Sequence, residues 1–176
     1  MDTKSIAIST LVLRIFVLLS LIASAVVLVL DNYTLSDDIQ FSFQQVIAYR
    51  YMLATAVIGA AYSIVQLPFA IYYASTEKQL IRNDFLPQFD FFADKIMSLL
   101  LASGVGAGYG VSFELKRFVN AAIDALEFFG AGDLSEQRSK DQQFLNKGII
   151  ATSILLLGCI LMIIVSLLSS INRSRK

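Results

Sequence analysis

FDFFADKIMSLLLASGVGAGYGVSF, residues 89–113, decides the fold. At 1.5 Å per residue this stretch reaches about 37 Å, longer than the ~30 Å hydrocarbon core of a bilayer. Its four glycines, Gly104, Gly106, Gly108 and Gly110, would weaken a helix in water. In lipid the backbone must satisfy its own hydrogen bonds, and small residues let neighbouring helices approach. The stretch therefore reads as a membrane span.

Three more apolar stretches of similar length occur, at 5–30, 49–73 and 148–171. The chain has 176 residues, with 56% hydrophobic content and a mean hydropathy of +0.67. That exceeds the ~45–50% apolar share of an ordinary soluble domain. The fold class expected is an all-α membrane protein: a four-transmembrane-helix bundle with short cytosolic tails and a partly helical second extracellular loop. The tails are only a few residues long and leave no room for a cytosolic enzymatic or signalling domain. Residues 1–176 are expected to form a single membrane domain.

The lone Cys159, mid-span, and the absence of histidine and tryptophan argue against metal clusters, histidine bases and disulfides. No catalytic residue, metal ligand or cofactor is expected, and no small-molecule substrate is evident. The formal net charge of zero points away from a nucleic-acid partner. The bilayer itself is the first partner.

Lys4, Arg14, Ile15 to Ile22 and Ala23-Ser24-Ala25 also have the order of a signal peptide. The apolar residues before Arg14 and the continuation through Val26 to Leu30 favour a retained span. For orientation, the first connection carries Asp31, Asp37 and Asp38 but no basic residue. The second carries Lys78 and Arg82, and the C-terminal tail carries Arg173, Arg175 and Lys176. By the positive-inside rule both termini are cytosolic. Against that bias stand Arg50 and the third connection, with Lys116, Arg117, Arg138 and Lys140.

Arg14 and Asp94 lie inside spans, where translocon measurements put an ionisable residue at about +2.5 to +3.5 kcal/mol. The first and third spans run in the same direction. Counted from their inner ends, at Ser5 and Phe89, the two residues are about 13 Å and 8 Å deep. A buried Arg14 to Asp94 bridge satisfies both, and snorkelling of either side chain to the inner headgroups is the competing solution. Lys95, about 100° away around the helix, is expected to snorkel.

From Asp94 upward every fourth residue is small or polar: Ser98, Ala102, Gly106 and Gly110, with Gly104 and Gly108 on an adjoining strip. Such a face serves close helix packing, either within the bundle or between protomers. In the second span Ala56-Ala60 and Thr55-Gly59 are small faces, and Pro68 is expected to kink the helix. Tyr49, Tyr51, Tyr72 and Tyr73 suit interfacial anchors. The fourth span, mostly Leu and Ile around Gly148, Gly158 and Cys159, reads as lipid-facing.

Beyond the third span Leu115, Phe118, Val119, Ala122, Ala125, Leu126 and Phe129 recur at helical spacing, opposite Lys116, Arg117, Asn120, Asp124 and Glu127. An amphipathic helix is expected, continuing the span or lying on the outer leaflet. Gly130 and Gly132 should stop it, and Asp133 with Glu136 has the spacing of a capping box that starts a second helix. Asn32-Tyr33-Thr34 matches a glycosylation sequon close to the membrane boundary, where a chance occurrence is the plainer reading.

Val12-Leu13-Arg14-Ile15 in the first span, Phe89-Asp90-Phe91 leading to Ala93-Asp94-Lys95-Ile96, and Leu99-Leu100-Leu101-Ala102-Ser103 in the third resemble the plant Casparian strip membrane domain protein-like (CASP-like) family. The resemblance covers essentially the whole chain. Its most specific elements, an Arg in the first span and an Asp in the third, are shared with the related MARVEL-type four-helix architecture and fall on Arg14 and Asp94.

What the resemblance implies is a multi-pass plasma-membrane protein that forms homodimers or higher homo-oligomers, and hetero-oligomers with related four-span proteins. It would act as a membrane scaffold, which in the founding members organises a diffusion barrier and directs local cell-wall modification. This chain departs from the founding members in the first outer loop, residues 31–47, which lacks their signature, and in a second outer loop without cysteine.

Three functions compete. A non-catalytic scaffold would use the Arg14 to Asp94 bridge to fix the bundle and small faces to associate. An ion or proton channel or transporter, formed by an oligomer, would place Asp94, Arg14, Lys95 or Ser98 along a path. An enzyme lacks a visible nucleophile and base.

Overall fold

The computed structural model describes residues 3–30, 32–35, 39–42, 46–76, 85–129 and 135–174. Its helices are α1 (Thr3–Val29), α2 (Ile47–Thr76), α3 (Phe85–Phe128) and α4 (Ser135–Ser174). All four are long and apolar enough to cross a membrane, and the protein is a four-helix, all-α membrane protein. The orientation and turn residues Asp31, Asp37, Asp38, Lys78, Arg82, Gly130, Gly132, Asp133, Arg175 and Lys176 lie outside the described residues.

Each helix packs against its sequence neighbours, and α1 closes the ring against α4. That arrangement puts α1 and α3 on one diagonal and α2 and α4 on the other. The core is a stack of apolar layers, with Val17, Leu21, Leu101, Leu155 and Met162 all buried. At the waist Leu21 of α1 reaches toward Gly59 of α2 and Gly158 of α4, while Leu101 of α3 also meets Gly59. Two glycines facing two leucines let all four backbones draw together there, as small residues do in membrane bundles.

The fourth helix corrects one expectation. Its Ala151, Thr152, Leu155, Cys159, Met162, Val165 and Ser166 are buried, and α4 packs on both α1 and α3. Ile160, Ile163 and Leu167 form the outward face. A helix that is apolar all round gives no periodic signal for the side it buries, so the sequence could not reveal the inward face. Tyr49 is a second correction. It is fully buried, its ring edge-on to Phe144 at 6.1 Å, rather than turned to lipid as an interfacial anchor is. Tyr51 and Tyr72 do face outward, and the side chain of Tyr73 lies outside the described residues.

Helix α2 runs through Pro68 to Thr76. The missing N–H of Pro68 removes one hydrogen bond, and the helix continues past it. The connection between α1 and α2 contains two antiparallel paired strands, β1 (Asn32–Leu35) and β2 (Ile39–Ser42), in which Tyr33 pairs with Phe41 and Leu35 with Ile39. Tyr, Thr, Ile and Phe are strand formers, and the intervening sequence Ser36-Asp37-Asp38 is rich in turn-forming residue types. That signal is short and is overshadowed by the apolar spans on either side. The sequon residue Asn32 begins β1.

Helices α3 and α4 have 44 and 40 residues, or about 66 and 60 Å, against ~40–45 Å for a whole bilayer with its headgroups. The charges at Glu114, Lys116 and Arg117 place one membrane boundary of α3 near Phe113. The amphipathic segment therefore continues the third span without a break, and α4 begins before its own span. Polar pairs join the two extensions: Lys116 Nζ donates to Asn146 at 3.3 Å, Gln142 Nε2 to Asn120 at 3.4 Å, and Arg138 pairs with Asp124 and, at 3.7 Å, with Glu127. Ile123, Phe144 and Leu145 are buried in this region.

Candidate functional site

The half of the bundle around the N-terminal part of α1 holds its most costly polar groups. Arg14 is 6% exposed and Asp94 is fully buried. The structure brings them together across the α1 to α3 diagonal: Arg14 Nη2 donates to Asp94 Oδ1 at 3.2 Å and to Oδ2 at 2.9 Å. The long guanidinium stem is what allows contact between helices whose backbones are not neighbours. A charge-assisted bond of this kind offsets part of the desolvation cost of both groups.

Two residues that the sequence reading did not select complete the cluster. Tyr62 of α2 donates its hydroxyl to Asp94 Oδ1 at 2.6 Å, and Gln66, one turn further on, donates to the Tyr62 oxygen at 3.2 Å. Gln66 is buried and Tyr62 half-buried. A Gln in mid-span needs hydrogen-bond partners just as a charge does, and that was the available signal. Tyr62 carried a weaker one, its distance from either interface. The cluster thus ties α1, α2 and α3 at one level.

Replacing Tyr62 by Phe removes one hydrogen bond and leaves the ion pair. Interhelical bonds in membrane proteins average about 0.6 kcal/mol and reach ~1.7. Tyr62→Phe should therefore lower unfolding stability in lipid by no more than about 2 kcal/mol. A larger loss in a denaturant titration would mean that Tyr62, rather than Arg14, is the main partner of Asp94.

A second polar cluster lies toward the opposite end of the bundle, near the C-terminus of α1. Tyr49 of α2 shares a 2.8 Å hydrogen bond with Ser112 of α3, whose hydroxyl donates to the Gly108 carbonyl at 2.6 Å. Thr152 of α4 donates to the Gly148 carbonyl at 2.8 Å and approaches the Met52 sulfur at 3.3 Å. Ser24 of α1 donates to the Ala151 carbonyl at 2.8 Å. Gly148 is the seat for Tyr49: a Cβ there would collide with the tyrosine hydroxyl and ring. The sequence reading noted Gly148 but not what rests on it.

The small residues of α3 divide into two faces. Gly104 and Gly108 are buried, and a Cβ would strike Thr55 at the first and meet Thr152 and Met52 at 2.6 and 2.7 Å at the second. Gly106 and Gly110 have nothing within 4 Å of a built Cβ, and Ala102 is exposed beside them. Ser98, half-buried, donates its hydroxyl to its own helix at Lys95, while its carbonyl accepts from the Cys159 thiol at 3.6 Å. One strip therefore packs the bundle and the other faces outward. Lys95 is exposed, with its ammonium 4.1 Å above the Phe91 ring.

Comparison with known proteins bears on the whole arrangement. The sequence profile of the Casparian strip membrane protein domain matches residues 3–122, which takes in Arg14, Tyr62 and Asp94. CASP-like protein 4D1 of Ricinus communis is 37% identical over 165 residues, covering 92% of this chain and 89% of that one. CASP-like protein 4D2 of Arabidopsis lyrata subsp. lyrata is 35% identical over 175 residues, covering 98% and 93%. CASP-like protein 4D1 of Arabidopsis thaliana is 37% identical over 141 residues, covering 80% and 72%. No solved structure matches the chain. With the family profile aligned over residues 3–122 and relatives aligned over 92% and 98% of its length, the chain belongs to the CASP-like family of membrane proteins.

Proposed function

We propose that the protein is a non-catalytic plasma-membrane scaffold that associates laterally with copies of itself and with related four-span proteins, with both termini in the cytosol. Its work is to organise a membrane subdomain, and its outer segments recruit cell-wall-modifying partners. The observation that carries the reading is the division of α3 into two small-residue faces, one buried in the bundle and one, at Ala102, Gly106 and Gly110, turned outward. Without a hydrophobic drive in lipid, an open glycine face is where a second helix backbone gains packing. The buried cluster around Asp94 then serves as the rigid inner tie.

Against conduction through a single protomer stands the waist of Leu21 and Leu101 on Gly59 and Gly158, between the inner and outer polar clusters. By rise per residue the waist lies about 10 Å from Arg14, and apolar layers of this kind close a pore by dewetting.

The test is oligomeric mass in lipid nanodiscs for wild type and for Gly106→Leu with Gly110→Leu. Both positions are open, so the variant should remain folded, and its mass should fall below that of the wild type. A wild type that is strictly monomeric at every protein density would contradict the scaffold reading and make ion flux in liposomes the next assay.

A further inference from the structure

The outer extension of α3 carries a seam that the bundle does not use. Val111, Leu115, Phe118, Ala122, Ala125 and Phe129 are spaced 4, 3, 4, 3 and 4 residues apart, the a and d spacing of a coiled coil. The seam starts inside the fold, where Val111 and Leu115 pack on the core, and then runs free. Phe118 and Phe129 are 71% and 83% exposed. The opposite side of the extension is occupied, since Lys116, Asn120, Asp124 and Glu127 face the start of α4.

We infer that this seam pairs with the same seam of a second copy, forming a short parallel coiled coil just above the outer membrane surface. Three observations select a second copy. Copies in one membrane share orientation and height, so a two-fold axis along the membrane normal sets the two α3 extensions parallel and in register. The positions flanking the free seam, Val119, Ala121, Leu126 and Phe128, carry no charge, so like charges do not oppose one another across the pair. Phe128 lies about 22 Å beyond Phe113 along the helix, a height that the protein's own bilayer does not reach. At 100° per residue the seam sits about 110° around α3 from Gly106 and Gly110. The two faces therefore meet different neighbours, and contacts on two faces let an assembly grow beyond a pair. The inference rests on the scaffold reading above and names the partner of one of its surfaces.

Cysteine crosslinking tests it in the full chain in nanodiscs or liposomes, in a Cys159→Ser background, with mass measured on the same samples. Ala122→Cys and Ala125→Cys should each give disulfide-linked dimers under mild oxidation, several-fold more than Asn120→Cys on the α4 side. Adding Phe118→Glu and Phe129→Glu to the crosslinking variants should abolish the product. An oligomer by mass in which 122 and 125 crosslink no better than 120 overturns the coiled coil and leaves the scaffold reading standing. Cysteines at 122 and 125 that neither crosslink nor react with an aqueous maleimide would place lipid on the seam, again overturning the pairing. Crosslinks that persist in the Glu variants would show chance collision and overturn it as well. A monomer by mass removes the scaffold reading and this inference together.

Discussion

Asp94→Ala should destabilise the bundle by on the order of 3 to 5 kcal/mol, because it leaves the Arg14 guanidinium buried without its carboxylate. The Tyr62 hydroxyl loses its acceptor in the same step. Arg14→Ala should cost a similar amount by stranding the carboxylate, moderated by the Tyr62 bond that Asp94 keeps. Since native proteins are stable by about 5 to 15 kcal/mol, either change removes a large share of the margin. Expression and detergent-resistant folding should both fall. The measurement is denaturant unfolding in lipid, followed by tyrosine fluorescence, which the seven tyrosines and the absence of tryptophan make practical. Losses under about 1 kcal/mol would mean that both groups reach water or headgroups without each other.

The second large effect is expected at Gly148, where a single methyl group separates two outcomes along α3 and α4. Gly148→Ala drives a Cβ into the hydroxyl and ring of Tyr49, a side chain that is fully buried against Phe144 and Ser112. Overpacking of a filled core costs about 1 to 3 kcal/mol, and loss of the Tyr49 to Ser112 bond adds to it. Gly106→Ala and Gly110→Ala, with open space at the Cβ, should be neutral or slightly stabilising, since Ala is the better helix former by about 1 kcal/mol. The contrast is checked by unfolding the three variants side by side. Equal effects at Gly148 and Gly106 would show that backbone propensity, rather than the Tyr49 contact, governs these glycines. Tyr49→Leu combined with Gly148→Ala should lose less than the sum of the two single changes, as coupled neighbours do.

The fold was legible because lipid imposes a rule that the sequence must obey in the open: apolar stretches long enough to cross, with every charge explained. Arg14 and Asp94 stood out for that reason, and the structure sets them in contact across the bundle diagonal. What the sequence left unread was direction. The stripe from Ser98 to Gly110 and the strip through Gly104 and Gly108 look alike in composition, yet of the four glycines only Gly104 and Gly108 meet other helices. An i, i+4 pattern fixes which residues share a face but not which way the face turns. The same limit made α4 read as lipid-facing, although it packs on two neighbours, and made Tyr49 read as a lipid-facing anchor although it is buried in the bundle.

Tyr62 and Gln66 illustrate a different loss. Neither is charged, so the signal of each is weaker than that of Arg14, and the partners they serve are visible only once α2 is seen to pass beside Asp94. The strand pair of residues 32–35 and 39–42 escaped because eight strand residues between two long spans carry too little pattern to compete with them.

The tie that joins α1, α2 and α3 depends on Arg14 and Asp94 forming a closed structural pair. A double-mutant cycle measures this directly: unfolding in lipid nanodiscs of wild type, Arg14→Met, Asp94→Asn and the protein carrying both changes. Asp94→Asn retains an oxygen for the Tyr62 hydroxyl, and Arg14→Met fills the path of the guanidinium stem without charge. The account predicts that each single change is strongly destabilising and that the double variant recovers most of the loss, because no charge is left unpaired. A double variant whose loss equals the sum of the two singles would contradict it, showing that the two residues act independently and that the buried charges serve something other than holding the helices together.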